Sequence, residues 1–380
     1  MMKRKPKLTL SAIVLALLIG ASGFWIDREI RSAELERFSQ KFALLGTLRK
    51  SALETYLDTV RGEMTFWSVS PRLQSASIEL QQGWSALGAE KPSTLQQLYL
   101  HDSPYPLGER RLLDDAGDGS AYSAAHKALH TLATDFVTNR GYYDFFLIDP
   151  AGNIVYSVEK EADFATSLNQ GPYRDTGLGK VFRAALADPD HAVHLSDLER
   201  YEPSNQAPAI FMARKMIADD ASTVGVLALQ LPTSRIIDIM QFTEGMGTSG
   251  ETYLVGEDLL MRSDSRFSED STILRTRVDT RTVHQALQGE TGISFTPDYR
   301  GISVLSAFDS INIGDFRWAV MAEIDAAEVH AETEGLGAVV FGLGTLLYGF
   351  ALWTLTVLSR VVLPDSGSGQ VLPDIDVGQA

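Results

Sequence analysis

Two histidines, His126 and His130, stand four residues apart. On a helix they would share one face at the spacing of a metal-ligand pair. The zinc-hydrolase form of that pattern needs a glutamate directly after the first histidine, and Lys127 stands there instead. The pair therefore reads as structural or ligand-facing, and no metal is expected. Asp258, Asp264 and Glu269 lack the spacing of a calcium-binding loop and read as solvated loop acids. The glycine-rich run Gly245–Gly250 lacks the lysine of a phosphate-binding loop, and no Gly-x-Ser-x-Gly elbow occurs. With no cysteine, disulfides, thiolate metal sites and cysteine nucleophiles are excluded. What is left is recognition without catalysis or cofactor. A small-molecule pocket needs an apolar wall and a few convergent polar groups. His126, His130, Tyr143, Phe145, Tyr156, Lys160, Asp163, Tyr173, Asp197, Tyr201 and Ser204 supply that mixture within one stretch of chain. The set suits a small polar organic ligand, a carboxylate or an amine.

The elements that must position these residues change period along the chain. From Asp27 to Leu87 the apolar residues step by three and four (Leu35, Phe38, Phe42, Leu45; Tyr56, Val60, Met64, Trp67), which predicts a long helix interrupted or kinked at Pro71. Residues 88–120 are rich in turn formers, and Tyr122–Thr138 reads as a short helix. Strand patterns follow at Tyr143–Asp149 and Ile154–Val158, joined by the turn residues Pro150-Ala-Gly-Asn153, a hairpin signal. Further strands are predicted at Ala192–Leu195, Ala209–Lys215 and Gly225–Leu231, with a helix at Gly177–Ala187. Beyond a connector at Pro232–Gly250 the order returns: strand Glu251–Val255, turn Gly256–Asp258, strand Leu259–Arg262, helix Thr282–Leu287, and strands Ile302–Ala307 and Trp318–Ile324. The expected fold class is α+β, two antiparallel-sheet modules in tandem on a long N-terminal helix.

The ends carry a different signal. Leu8–Ile26 is an uncharged run of 19 residues behind Lys3, Arg4, Lys5 and Lys7, and Leu336–Leu358 is an uncharged run of 23. As helices they would extend roughly 28 and 34 Å, enough to cross a bilayer. Trp25 and Trp353 stand near the run ends, where amphipathic rings suit the interface. Basic residues stay inside, so both termini are expected in the cytoplasm of a bacterial inner membrane, with 27–335 outside. The formal charge of −16 is unfavourable for binding nucleic acid. The division expected is 1–7 basic start, 8–26 first span, 27–87 long helix, 88–232 membrane-distal module, 233–335 membrane-proximal module, 336–358 second span and 359–380 cytoplasmic tail. Two other readings stay open: a cleaved signal peptide at the first run, for which Ala21-Ser-Gly23 would serve, and a buried core helix at the second.

Several stretches carry a family likeness: Gly141-Tyr-Tyr-Asp-Phe-Phe-Leu-Ile-Asp-Pro-Ala-Gly-Asn153, Glu159–Phe164, Tyr201–Ser204 with Pro208, Ala209 and Phe211, Thr248–Gly256 followed by Met261–Phe267, Asp298–Gly301, and Trp318–Glu323. In these the chain resembles the double Cache extracellular sensors of bacterial chemoreceptors, histidine kinases and nucleotide cyclases. The resemblance covers roughly 27–335. It implies PAS-like modules, a shared N-terminal helix, ligand binding in the distal module, and transmembrane signalling through a second copy or a separate cytoplasmic partner. The amino-acid motif of some such sensors is not evident. The resemblance also implies a cytoplasmic relay after the second span. Ser359–Pro364 looks like its first turn, while the residues to Ala380 are low in complexity and too few for an output domain. The alternatives are a receptor remnant without output and, more remotely, an anchored envelope enzyme or assembly factor.

Overall fold

The structure, a computed structural model, describes residues 5–88 and 90–362. The basic start at 1–4 and the tail from 363 lie outside the described residues, and so do many side chains of the two apolar runs. The described chain divides into two compact units, one formed by its residues up to 38 and from 328 on, the other within Ser39–Ala327.

The larger unit begins within a continuous helix, α1 (Lys5–Ser68), which gives way at Pro71 to α2 (Pro71–Ala86). The break is local chemistry: proline cannot donate the next helical hydrogen bond but suits the first turn of a new helix. Phe42, Leu53, Leu57, Val60 and Met64 of α1 are buried, as the periodicity requires. Where only turns were expected, α3 (Lys91–Gln96) continues into a π-helical turn at Gln97–His101, and a 3₁₀ turn follows at Arg110–Leu112. Helix α4 (Ala121–Arg140) starts where Ser120 Oγ accepts from the backbone N–H of Ser123 and stops at Gly141 (φ 71°).

The distal sheet comprises β1 (Asp144–Ile148), β2 (Ile154–Ser157), β3 (His194–Leu195), β4 (Glu199–Tyr201), β5 (Ala207–Ile217) and β6 (Thr223–Leu231), with α5 (Gly177–Ala187) crossing between β2 and β3. Its order is β2-β1-β6-β5-β3, with β4 paired to β5. The expected hairpin forms: Asp149 accepts from the Asn153 N–H at 2.8 Å, and Gly152 takes φ 92° in the turn. Both faces are covered. Phe145, Leu147, Leu227, Leu229 and Leu231 belong to the core shared with α1, α2 and α4. Phe146, Ile148, Val226, Ala228 and Phe211 belong to a second core with Leu178, Val181 and Phe182 of α5.

In the connector, the short helix α6 (Thr233–Met240) stands where no element was expected. The proximal sheet comprises β7 (Glu251–Val255), β8 (Gly292–Pro297), β9 (Ser303–Ile313) and β10 (Phe316–Asp325), in the order β7-β10-β9-β8, with α7 (Arg281–Leu287) before β8. The strand expected at Leu259–Arg262 is not formed. Leu259 takes φ 65°, which turns the chain out of strand geometry, and only isolated bridges to Val255 and Arg277 remain. Strands β4 and β8 were not anticipated, because each is short or carries glycine and proline at its ends. The architecture is a long N-terminal helix with two tandem antiparallel-sheet modules.

In the smaller unit the chain is helical on both arms, α1 and α8 (Ala326–Val362). Among the described residues no helix is long and apolar enough to cross a membrane. Large apolar side chains nevertheless stand exposed along both arms, including Leu17, Phe24 and Trp25 on one and Leu346, Phe350 and Trp353 on the other.

Helix α2 lies so close to α4 that a Cβ at Gly83 would come within 2.6 Å of the Tyr122 Cα, whereas Gly62 in α1 has open space. Gly83→Ala is expected to destabilise the chain by about 1–3 kcal/mol through overpacking. Gly62→Ala should stabilise it by about 0.5–1 kcal/mol through helix propensity. Urea melts of the two variants check the opposite signs.

Candidate functional site

The strand alternation sorts the sequence-selected residues into two groups on opposite faces of the distal sheet. On the α5 side, Asp144 opens β1 and pairs in register with Gln230 of β6. The segments after β2 and β4 fold over this end of the sheet. Glu161 accepts from Tyr143 Oη at 2.7 Å and from Ser204 Oγ at 2.5 Å. Ser204 Oγ in turn accepts from Gln230 Nε2 at 3.2 Å. Asp163 accepts from Tyr201 Oη at 2.6 Å. The Tyr201 ring packs on Phe211 at 4.8 Å and on the half-buried Tyr173 at 6.3 Å. Phe211 is the cross-strand partner of Gln230, which closes the ring of residues.

The polar balance of this site is one-sided. Asp163 and Gln230 are buried, yet among the described residues Asp163 Oδ1 and Gln230 Oε1 find no hydrogen-bond partner. Both are acceptors, and the nearby hydroxyl donors are already engaged. Burial pushes the Asp163 carboxyl up to about 7, against the pull of the Tyr201 hydrogen bond and with help from the charge of Glu161. Burial likewise raises Glu161. Asp144 differs: its Oδ1 accepts from the N–H groups of Phe145, Val158 and Glu159 at 2.6–3.1 Å and its Oδ2 from Ser157 at 2.7 Å, so it ties β1 to β2. Four non-glycine residues with left-handed backbone flank the acids and hydroxyls: Lys160 (φ 53°), Ala165 (φ 61°), Asn205 (φ 53°) and Gln206 (φ 62°). Each such residue costs on the order of 1–2 kcal/mol, and such strain concentrates at ligand clamps.

On the α4 side, His126, His130, Tyr156 and Lys160 form a separate cluster. His130 Nδ1 lies 2.8 Å from Tyr156 Oη, and the rings of His126 and His130 stack at 4.7 Å. Lys160 Nζ reaches the carbonyls of Arg110 and Val158. Phe145 packs near this group, with its ring 6.2 Å from Tyr156. Asp197 belongs to neither face. It receives the Arg262 guanidinium at 2.7 and 2.9 Å and the Trp318 indole N–H at 2.8 Å, joining the distal module to the proximal one. Of the eleven residues that the sequence reading placed in one pocket, the structure gathers Tyr143, Asp163, Tyr173, Tyr201 and Ser204 and sets the other six elsewhere; Asp144, Glu161 and Gln230, which were not selected, join the five. The missing signal was available: Asp144 and Gln230 are polar residues set in otherwise apolar strands. Among the described residues, no group of three or more His, Asp or Glu is arranged to hold a metal ion.

No family model matches the chain, and no curated protein matches it. It is similar to solved structures. The ligand-binding domain of the Pseudomonas aeruginosa PAO1 chemoreceptor PctC, in complex with GABA, is 15% identical with a TM-score of 0.43, over 76% of this chain and 100% of that one. The ligand-binding domain of the Campylobacter jejuni chemoreceptor Tlp3, in complex with 4-methylisoleucine, is 11% identical with a TM-score of 0.44, over 79% and 94%. That of the Pseudomonas fluorescens chemoreceptor CtaA, in complex with L-serine, is 14% identical with a TM-score of 0.36, over 72% and 97%.

Two measurements test the site's electrostatics. The folded pKa of Asp163, about 7, lies above its ordinary 3.8, so its share of stability is whole below about pH 4 and is lost as the pH rises through 7. Asp163→Asn should therefore leave stability unchanged near pH 4 and raise it by up to about 4 kcal/mol near pH 8, read from urea melts at both values. Asp197→Ala leaves the buried Arg262 with Asp258 and the Leu260 carbonyl as partners. The expected loss is about 2 kcal/mol, with a change in Trp318 fluorescence as its N–H loses an acceptor.

Proposed function

We propose that this chain is a membrane-anchored extracytoplasmic sensor of small molecules, without catalytic activity, and that its ligand sits in the distal module beneath the segments 159–165 and 201–206. The reading rests on one observation: two buried acceptors, Asp163 Oδ1 and Gln230 Oε1, lack donors in a site that already holds Glu161. A buried polar group without a partner costs about 1–3 kcal/mol, and more when charged. A ligand bringing N–H donors and positive charge relieves that cost. An amine fits these acceptors better than an anion does: Glu161 and Asp163 already bring two carboxyls to the site, and the Lys160 ammonium group points to the carbonyls on the other face. Tyr201, Phe211 and Tyr173 supply an aromatic wall for the rest of the ligand. Tyr143, 37% exposed, stands at the rim.

Anchoring is part of the proposal. Leu8–Ile26 and Leu336–Leu358 are uncharged, lie within continuous helices and expose large apolar side chains, as lipid-facing segments do. We place 27–335 in the periplasm or outside the cell, both termini in the cytoplasm, and the module boundary near residue 232. A ligand that binds one packing of the modules better than another shifts the population. A second copy of the chain or a separate cytoplasmic protein would read that shift.

Thermal-shift measurements on the full-length chain at about pH 8, where Asp163 is ionised, test the ligand class. The panel comprises short aliphatic amines, amino acids and matched carboxylates and alcohols. At least one amine should raise Tm in the wild type and not in Asp163→Asn. Stabilisation by carboxylates alone, or by amines equally in the variant, would defeat the reading.

A further inference from the structure

The α4-side cluster stands apart from the proposed ligand site and buries three basic side chains against one loop. The carbonyls of Arg110, Arg111 and Asp114 each face one of them. Lys160 Nζ donates to Arg110 O at 3.3 Å, His130 Nε2 lies 2.8 Å from Arg111 O, and His126 Nδ1 lies 2.7 Å from Asp114 O. A carbonyl can only accept, so each histidine must carry its proton on the nitrogen that faces the loop. Neutral His130 is then complete, because its Nδ1 accepts from Tyr156 Oη. Neutral His126 keeps a bare Nε2 that is buried and has no partner. The ammonium group of Lys160 stands 3.5 Å from the His130 Nε2–H, and in its charged form it cannot accept from that donor. A second proton on either ring would put two cations side by side in a dry core.

We propose that His126, His130 and Lys160 form an acid-labile clasp on the 102–119 loop, and that the segment Glu159–Asp163 passes its release to the pocket, making external pH a second input to the sensor. The second half of that statement rests on the ligand reading above; the clasp itself does not. The wiring is residue by residue. Glu159 pairs with Arg111 of the loop at 3.5 Å, Lys160 enters the clasp, Glu161 holds Tyr143 and Ser204, and Asp163 holds Tyr201. Releasing the loop removes a partner from Lys160 at both ends, since Arg110 Nη1 also donates to the Lys160 carbonyl at 3.2 Å.

The surroundings favour neutral histidines. From the loop and the π-helical turn come Tyr99, Arg110, Arg111 and Asp114; from β1 and β2, Asp144 and Tyr156; from α4, Ser123 and Thr134; and from the segment itself, Glu159 and Glu161. Helix α2 presents the uncharged Leu73, Leu80 and Trp84 to the same core. No carboxylate hydrogen-bonds either ring, and Lys127 pairs with Asp115 outside the cluster. Burial first, and the Lys160 charge second, hold His130 down at about 4 and His126 well below its ordinary value. Burial also lowers Lys160 to about 7, although Asp144, Glu159 and Asp114 pull the other way. A histidine depressed in the closed form favours opening as the pH falls, by up to about tenfold per pH unit and per ring between its open and closed pKa values.

Hydrogen–deuterium exchange of the ligand-free, full-length chain, corrected for intrinsic rates, tests this at the Glu109, Leu112 and Leu113 amides, which are bonded to carbonyls within the loop. Opening should grow at least threefold per pH unit as the pH falls from about 6.5 to about 4.5, with no such trend in the amides of α5. The double variant His126→Gln/His130→Gln should flatten the profile. A flat wild-type profile, or a steep one that survives in the double variant, overturns the proposal. If the double variant fails to fold, Lys160→Met replaces it: loss of the neighbouring cation raises the closed-state histidine pKa values, so the growth of opening should level off at a higher pH than in the wild type, and an unchanged profile overturns the clasp. Failure of the ligand reading would show separately, as amines without effect on Tm.

Discussion

A sheet covered on both faces must satisfy every polar side chain it carries, and the distal module depends on that constraint. Strands β1 and β6 are buried along almost their whole length, Leu-rich towards the helices and Val/Ala/Phe-lined towards α5. Only at one end does the apolar pattern break, at Asp144 and its register partner Gln230. Water cannot reach these groups, so the chain brings donors to them. Asp144 collects three backbone N–H groups and a hydroxyl, which fixes the path of the chain after β2. The following segment then has to turn sharply, with Lys160 and Ala165 in left-handed geometry, and that turn points Glu161 and Asp163 into the same end of the sheet. Satisfying one buried carboxylate thus delivers two more, and the last of them is left with an empty oxygen.

The proximal module shows the same register solved differently. Glu251 opens β7 and pairs with Glu323 of β10, the positions that Asp144 and Gln230 hold in the distal sheet. Here each carboxyl has two hydroxyl donors: Tyr299 and Ser265 on Glu251, Tyr253 and Ser306 on Glu323. Burial raises both carboxyls, Glu323 to about 7, and one proton bound there leaves the pair a single negative charge. The modules therefore differ in whether the polar end of the sheet is complete. The proximal one closes on its own side chains, while the distal one closes on them only in part.

The longer helices, the first hairpin and the tandem order were legible because they depend on local periodicity and turn chemistry, as at Pro71 and Asp149–Asn153; the short helices α3 and α6 were not. The candidate site was half legible. Residue type drew attention to Tyr143, Asp163, Tyr201 and Ser204, but type alone cannot say which face of a sheet a side chain takes. That is set by register, and the β1–β2 ladder carries an irregularity between Leu147 and Ile148 that no count along the sequence reveals. It also cannot distinguish a ligand-facing acid from one bound across modules, as Asp197 is. Glu161 and Gln230 were missed because an acid in a mixed-charge stretch and an amide in a strand look ordinary until their burial is known.

Asp197 shows how occupancy could travel. It leaves the distal module between β3 and β4, near the β4–β5 turn that carries Ser204, and it meets Arg262 and Trp318 of the proximal module. Gly256, directly after β7, lies against the Arg262 guanidinium, so the ion pair with Asp197 abuts the end of that strand. Trp318 is on β10, which runs without interruption into α8 at Ala326. Coupling between sites amounts to about 1–3 kcal/mol in most allosteric proteins, the scale of one such charge-assisted hydrogen-bond set. On the proposed ligand reading, a ligand that moves the chain around Ser204 would reach β10 of the proximal module through this contact.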